Sequence, residues 1–478
     1  MNKQPLFLVV GIIFLLGGCS LAPKYTQPKA PIPAEWPQGA VYQGGRTATG
    51  EATVPVLKWR DFFTDKRLQK IIETSLNNNR DLRIAALNVE RARALYGVQR
   101  SELFPSVSAV GSGTKRHSAS DLTRPGESRT TEQYSIDLGI ASWEIDFFGR
   151  IRSLKEQALQ QYLATEEAMR SAQISLVSEV ARVYLALAAD RENLKLAQST
   201  LHTQQGVYDL IRRQYEVGLA NGLDLRRAQT QVDAARGDVA RYNQLVAQDQ
   251  NALNLLAGSP VPEDLLPSDL ASVSTPKDIS PGLSSEVLLR RPDIMAAEHQ
   301  LKAAYAFIGA ARATFFPRIS LTTSLGTASD ELSGLFSSGN GTWNFAPQVV
   351  MPIFDARTWA AYRVSKAQRK IALTRYEKSI QGAFREVADT LAIQGTVDER
   401  LCSQQSLVDA LAETYRLSKV RYTHGLDSYL GVLDAQRSLY AAKQGLTSLR
   451  LAKIANQVRL YAVLGGGGDQ NRAHQGGS

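Results

Sequence analysis

Cysteine is nearly absent: the 478 residues hold two, Cys19 and Cys402. Cys19 belongs to an N-terminal address segment. Cys402 is then left without a partner, and no disulfide supports the fold. Cys402 lies in a long helical stretch with no His or Cys nearby and reads as structural. Histidine is also scarce, five in all, and His117, His202, His299 and His424 show no metal-ligand spacing. There is no HExxH, no Gly-rich phosphate loop with its Lys and no nucleophile elbow. Gly465 to Gly468 is a glycine run without the strand and helix of a nucleotide site. The chain therefore reads as no enzyme and as needing no cofactor. Long apolar runs are missing too: past the N-terminus nothing approaches 18 unbroken apolar residues, so no membrane helix is expected. Lys and Arg outnumber Asp and Glu 55 to 46, for a net charge of +9. They are scattered along helical stretches, which fits solvated helix faces and not nucleic-acid binding.

The first residues are an address. Lys3 precedes the apolar run Leu6 to Leu16, followed by Gly17-Gly18-Cys19-Ser20. A short charged region, an apolar region and small residues at a cut site make a signal peptide over 1–18. Cysteine directly after small residues reads as a bacterial lipobox. Cleavage leaves Cys19 first, with a covalent lipid on sulfur and amine. Ser20 resembles the following residue of lipoproteins sorted to the outer membrane.

What is abundant is repetition. Tyr215 to Gly258 aligns without a gap onto Tyr422 to Gly465: Gly218 falls on Gly425, Leu223 on Leu430, Ala228-Gln229 on Ala435-Gln436. A second match sets Asp81-Leu82 on Asp293-Ile294 and Phe104-Pro105 on Phe316-Pro317. A period this long is a duplicated half, not a solenoid unit. The implied order is a segment over 19–64, a first repeat over 65–258, a Pro/Ser/Asp-rich linker over 259–283, a second repeat over 284–465 and a flexible tail over 466–478.

Each repeat carries long helices. Leu176, Val180, Val183, Leu187, Asp190, Leu194, Ala197, Leu201, Gln204, Tyr208, Ile211 and Tyr215 alternate steps of four and three. That is a heptad seam. After Gly218 and Gly222 it resumes through Leu225, Ala228, Val232, Ala235, Val239, Tyr242, Val246, Asp249, Leu253 and Leu256, and Gly258 with Pro260 ends it. Two long helices and a short loop make an antiparallel hairpin. With helix starting near Arg150, about 68 residues at roughly 1.5 Å each give a rod of about 100 Å. The second half repeats the device around Gly425. One further helix is expected over 65–102, and its counterpart over 284–313.

Strands lie between. Tyr134, Ile136, Leu138 and Ile140 alternate with small or polar residues, as do Ile319, Leu321 and Leu325, and Trp343, Phe345, Pro347, Val349, Met351 and Ile353. A weaker strand follows Phe104-Pro105 through Val107 and Ala109. Period two with one apolar face fits a half-buried sheet or a membrane barrel. Long polar loops are expected over 111–131 and 327–342. Four strands cannot close a barrel, for which about eight is the practical minimum. An open edge cannot stand in lipid. If these strands cross the outer membrane, several chains must share one barrel, and periodicity alone leaves dimer or trimer open.

Five motifs in order carry a resemblance: Trp143-Glu-Ile-Asp-Phe-Phe-Gly-Arg150, Leu289-Arg-Arg-Pro-Asp-Ile294, Ile308-Gly-Ala-Ala-Arg-Ala313, Phe315-Phe-Pro-Arg-Ile-Ser-Leu321 and Leu433-Asp-Ala-Gln-Arg-Ser-Leu-Tyr440. They resemble the outer-membrane factors of bacterial tripartite efflux systems, the TolC-like family, in its OprM-type lipoprotein branch. The resemblance covers Cys19 to about Gly468. It implies an α+β fold and a homotrimer. A 12-stranded outer-membrane β-barrel, four strands per chain, continues into a long periplasmic α-helical barrel with a mixed equatorial domain. The implied function is the exit duct of a multidrug efflux pump, working with a periplasmic adaptor and an inner-membrane RND-type pump, in the outer membrane of a Gram-negative bacterium. Alternatives are a duct for protein or peptide secretion, a constitutive diffusion pore and a periplasmic coiled-coil scaffold. Long heptads speak against the pore, and alternating strands with Trp343 and Tyr134 against the scaffold.

The resemblance also places a periplasmic gate at the second hairpin turn, with Leu430 as an apolar ring and Asp434 as a carboxylate ring. Four residues apart, the two share one helix face. Asp434 aligns with Arg227, so the repeats differ in charge at the same depth. The expectation is that Arg226 or Arg227 pairs with Asp427 or Asp434 of the same or the next subunit, with Tyr422 and Tyr429 helping. Val217, Gly218, Asp224, His424 and Gly425 are the expected adaptor-contacting tips.

Overall fold

The computed structural model describes residues 21–45, 58–279 and 284–466. The signal segment, the Cys19 lipid site and the tail from 467 lie outside the described residues. The elements are α1 (Trp59–Phe62), α2 (Lys66–Asn78), α3 (Arg80–Ser101), β1 (Val107–His117), β2 (Thr130–Ile145), α4 (Arg150–Glu216), α5 (Gly222–Ala257), α6 (Pro292–Ala313), β3 (Arg318–Ser329), β4 (Gly341–Val350), α7 (Ala356–Thr423) and α8 (Tyr429–Val463). The chain forms two compact units.

The first unit holds one antiparallel sheet in the order β1-β2-β3-β4. The register aligns Ala109, Leu138, Leu325 and Trp343 in one cross-strand row, and Val107, Ile140, Thr323 and Phe345 in the next. Side chains alternate across a strand, so these rows share a face with Ile136, Leu321 and Val349. Ser112, Ser135, Asp137, Ser324, Asn344 and Gln348 fall on the other. The apolar face is not covered: Trp343 is 78% exposed, Leu325 69% and Val349 64%. Both β1 and β4 are edges with no partner among the described residues. The strands outrun their expected bounds. Residues 111–117, expected as loop, continue β1, because Lys115 and Arg116 still find partners in Glu132 and Thr131 of β2. In the same unit the segment after Leu21 lies flat on α6. The carbonyl of Leu21 accepts from Arg312, and Tyr25 donates to Glu298 at 3.0 Å.

The second unit is helical. Its core gathers Phe62, Phe63, Leu68, Ile72, Val180, Tyr184, Leu187, Leu253 and Tyr461. Val180, Val183, Leu187, Ala197 and Ile211 of the α4 seam are buried, as are Ala228, Val232, Tyr242 and Leu253 of α5. The heptad reading therefore matches the packing. The linker is not loose: Leu266, Leu270 and Val273 enter the core, and Arg191 and Lys195 of α4 hold Glu263 and Asp269. Near the chain start, Trp36 stacks on Phe384 at 5.3 Å.

Two helix expectations need correction. The helix expected over 65–102 is broken at Asn79, whose side chain caps α3 by accepting from the Leu82 N–H at 2.9 Å. Its counterpart over 284–313 opens as a 3-10 turn, Ser285–Arg290, and becomes α-helical only at Pro292. Proline at the first helical position suits a start but prevents continuation from before. Cys402 is exposed, not a core residue.

Candidate functional site: the hairpin tips

Both hairpins turn on the same backbone device. Gly218 has φ 81° and Gly425 φ 71°, a left-handed conformation that glycine adopts without strain. The Gly218 N–H donates to the Tyr215 carbonyl at 3.0 Å and the Leu219 N–H to that of Gln214 at 2.7 Å. Gly425 to Tyr422 and Leu426 to Arg421 repeat this, both at 2.9 Å. Two such bonds on a left-handed glycine form a Schellman cap, which satisfies the last helix carbonyls. It leaves the following leucine outside: Leu219 is 80% exposed and Leu426 65%. Val217 is 70% exposed, and His424 and Gly425 are also exposed.

Behind the turns the two hairpins share one apolar cluster. Ile211, Ala228, Tyr429, Val432 and Leu433 are buried in it, with Tyr415 and Tyr422 packed alongside. Tyr422 and Tyr429 meet at 5.3 Å between ring centroids. The Tyr429 hydroxyl is buried without a hydrogen-bond partner among the described residues. Burial, helped by Tyr415 and Tyr422, pushes that phenol well above its usual range.

Leu430 stands outside this cluster. It is 51% exposed while Tyr429 before it and Val432 and Leu433 beyond it are buried, so its face of α8 turns away from the chain's own packing. Asp434 is exposed on the same face and has no ion-pair partner among the described residues. Leu223 holds the aligned place in the first repeat and is 58% exposed.

The same-chain charge pairing expected here is not found. Asp427 is held by Arg421, with Nε to Oδ2 at 2.5 Å and Nη2 to Oδ1 at 3.2 Å. Arg421 beside it keeps this carboxyl below its ordinary pKa. Arg227 lies 3.8 Å from Asp224 of its own helix, and Arg226 donates to Gln229 at 2.8 Å. Arg226 and Arg227 each meet an acceptor three residues on or back, which costs less ordering than spanning two hairpins. Asp224 also sits in the first turn of α5, where its N–H is capped by Asn221 at 2.8 Å. Arg421 was missed at the sequence level because a spacing of six fits no helical pair; only the cap folds it back onto Asp427.

Known proteins match along nearly the whole chain. The family described as outer membrane efflux protein matches residues 71–259 and 283–466. The toluene efflux pump outer membrane protein TtgC of Pseudomonas putida is 48% identical over 98% of this chain and 96% of its own length. The cation efflux system protein CusC of Escherichia coli is 40% identical over 96% of this chain and 98% of its own. The crystal structure of the open state of the Neisseria gonorrhoeae MtrE outer membrane channel superposes with a TM-score of 0.83 at 38% identity, covering 94% of this chain and 98% of that one.

Proposed function

The chain belongs to the outer membrane efflux protein family, and from that premise we propose that it is a gated outer-membrane exit duct for small molecules. One observation carries this reading: an antiparallel sheet with one polar and one uncovered apolar face, and two edges without a partner among the described residues. In water such a face and such edges invite aggregation. In a bilayer the apolar face meets lipid, the polar face lines a lumen, and the edges must close on other copies. Three copies give a barrel of twelve strands, wide enough for a lumen. The protein is an outer-membrane efflux channel of TolC-like fold, reaching from the outer membrane of a Gram-negative bacterium into the periplasm.

The finer parts are also proposed. The exposed tips around Val217, Gly218, Asp224, His424 and Gly425 meet a periplasmic adaptor, which links the duct to an inner-membrane pump of the RND type. Leu430 and Asp434, three copies each, close the periplasmic end, since a ring of leucines excludes water and a ring of carboxylates repels anions. Across the subunit boundary Arg226 or Arg227 faces Asp434. Cys19 carries the lipid anchor.

The test is deletion of the gene followed by antibiotic and solvent susceptibility, with each candidate pump present or absent. Hypersensitivity only in backgrounds with the cognate pump supports the reading; unchanged susceptibility in every background overturns it. Purified trimers in planar bilayers should conduct in small steps. Mass spectrometry of the mature N-terminus tests the lipid on Cys19, and Cys19→Ala should leave a barrel-anchored trimer.

A further inference from the structure

Two carboxyl groups face each other inside the first hairpin. Asp190 of α4 and Asp249 of α5 both occupy seam positions, where a heptad ordinarily places apolar residues. They lie within mutual hydrogen-bonding reach. Asp249 Oδ2 is buried and receives no N–H or O–H from any other group among the described residues. A buried carboxylate oxygen needs a donor, and a second carboxylate offers none unless one of the two carries a proton.

The surrounding charges do not supply that donor. On α4, Arg182 is engaged by Glu179 through both Nε and Nη2. On α5, Arg241 lies over the Tyr242 ring and reaches Asp238 at 3.3 Å. The Tyr242 hydroxyl accepts from Gln444 of α8 at 2.9 Å, and that neutral contact adds no charge. Burial and the opposing Asp190 carboxyl outweigh Arg182 and push Asp249 up to about 6; burial also raises Asp190, against the lowering by Asp249 and Arg241. The aligned positions of the second repeat are Val397, which is buried, and Asn456, which donates to the Thr390 carbonyl at 3.0 Å. Neither titrates.

We propose that Asp190 and Asp249 form a one-proton clasp that holds α4 to α5, making the first hairpin tighten in acid and loosen at neutral pH while the second hairpin stays indifferent. The clasp lies about 25 residues, or roughly 40 Å, from the tip along α5. It acts on the shafts of the hairpin and not on the turn itself. A raised carboxyl binds its proton more tightly folded than unfolded. Its stabilising share is therefore largest below pH 4, and it fades as pH rises through about 6.

Hydrogen exchange on the intact trimer tests this. Protection of amides 183–197 and 242–256, corrected for intrinsic rates, should fall about tenfold between pH 5 and pH 7.5. Amides 390–404 and 449–463 of the second hairpin should hold steady. Asp249→Asn, isosteric and able to donate to Asp190 without a proton, should abolish the pH dependence and keep the acid-level protection. Asp190→Asn serves as the second variant. An unchanged first-hairpin pH dependence in both variants overturns the clasp, as does a wild type with no pH dependence or an equal loss in both hairpins.

Discussion

Arg421 grips Asp427 across the turn of the second hairpin, bidentate and six residues apart. The aligned residues of the first repeat are Gln214 and Ala220, which cannot form such a pair. The two turns share a backbone cap, yet only the second is fastened by charge.

Asp427→Asn and Arg421→Gln should therefore loosen the second tip alone. Single-channel recordings at 0.1 M salt should show longer open times, and the difference from wild type should shrink at 1 M, where exposed pairs are screened. The depressed Asp427 carboxyl keeps the pair intact above the ordinary carboxylate range, and the pair is lost only as pH falls through the lowered value. Between pH 5 and pH 8 the effect should not vary.

Leu430 and Leu433 separate gate from core. Leu433 is buried among Tyr429 and Val432, so Leu433→Ala should cost about 2–4 kcal/mol and lower the melting temperature. Leu430 is half exposed, and Leu430→Ala should leave the melting temperature nearly unchanged while raising conductance. A large melting shift with no conductance change would place Leu430 in packing. Asp434→Asn should reduce cation preference, read from reversal potentials.

Gly218→Ala and Gly425→Ala meet open space at the added Cβ, so only the left-handed backbone resists them. Each should cost about 1–2 kcal/mol, and asparagine less. Thermal melts give that cost. Adaptor binding measured beside it shows whether bare glycine is needed for close approach: affinity lost beyond the stability effect indicates contact.

Arg291 closes the second repeat. Buried at 9% exposure, it reaches Asp293, Glu386 and the Val463 carbonyl, the last at 2.7 Å. The first repeat ties the same place with a neutral amide, Asn79 to the Leu256 carbonyl at 3.1 Å. Arg291→Ala strips the buried Val463 carbonyl of its donor and frees two carboxylates that water still reaches, and should cost about 1.5–3 kcal/mol. Asn79→Ala should cost about 1–2 kcal/mol. Denaturation of the two variants side by side checks the order.

Much of this was legible from residue order. Gapless self-alignment of Tyr215 to Gly258 with Tyr422 to Gly465 reveals the duplication because both stretches meet the same heptad and cap requirements. Period-two alternation reveals the strands because pleating sends neighbours to opposite faces. Strand ends were less legible, since Lys115 and Arg116 look like loop until Glu132 and Thr131 pair with them.

By itself the sequence determined the repeat, the helical seams, the alternating strands and the glycines that turn each hairpin, all set by contacts within a few residues. Only the tertiary structure decided which charges meet. Arg421 takes Asp427 and leaves Asp434 open, Glu386 goes to Arg291 while its counterpart Glu179 stays with Arg182, and Asp190 finds Asp249. Ion pairs and shared protons depend on separations of a few ångströms between residues far apart in the chain, and no periodicity encodes those.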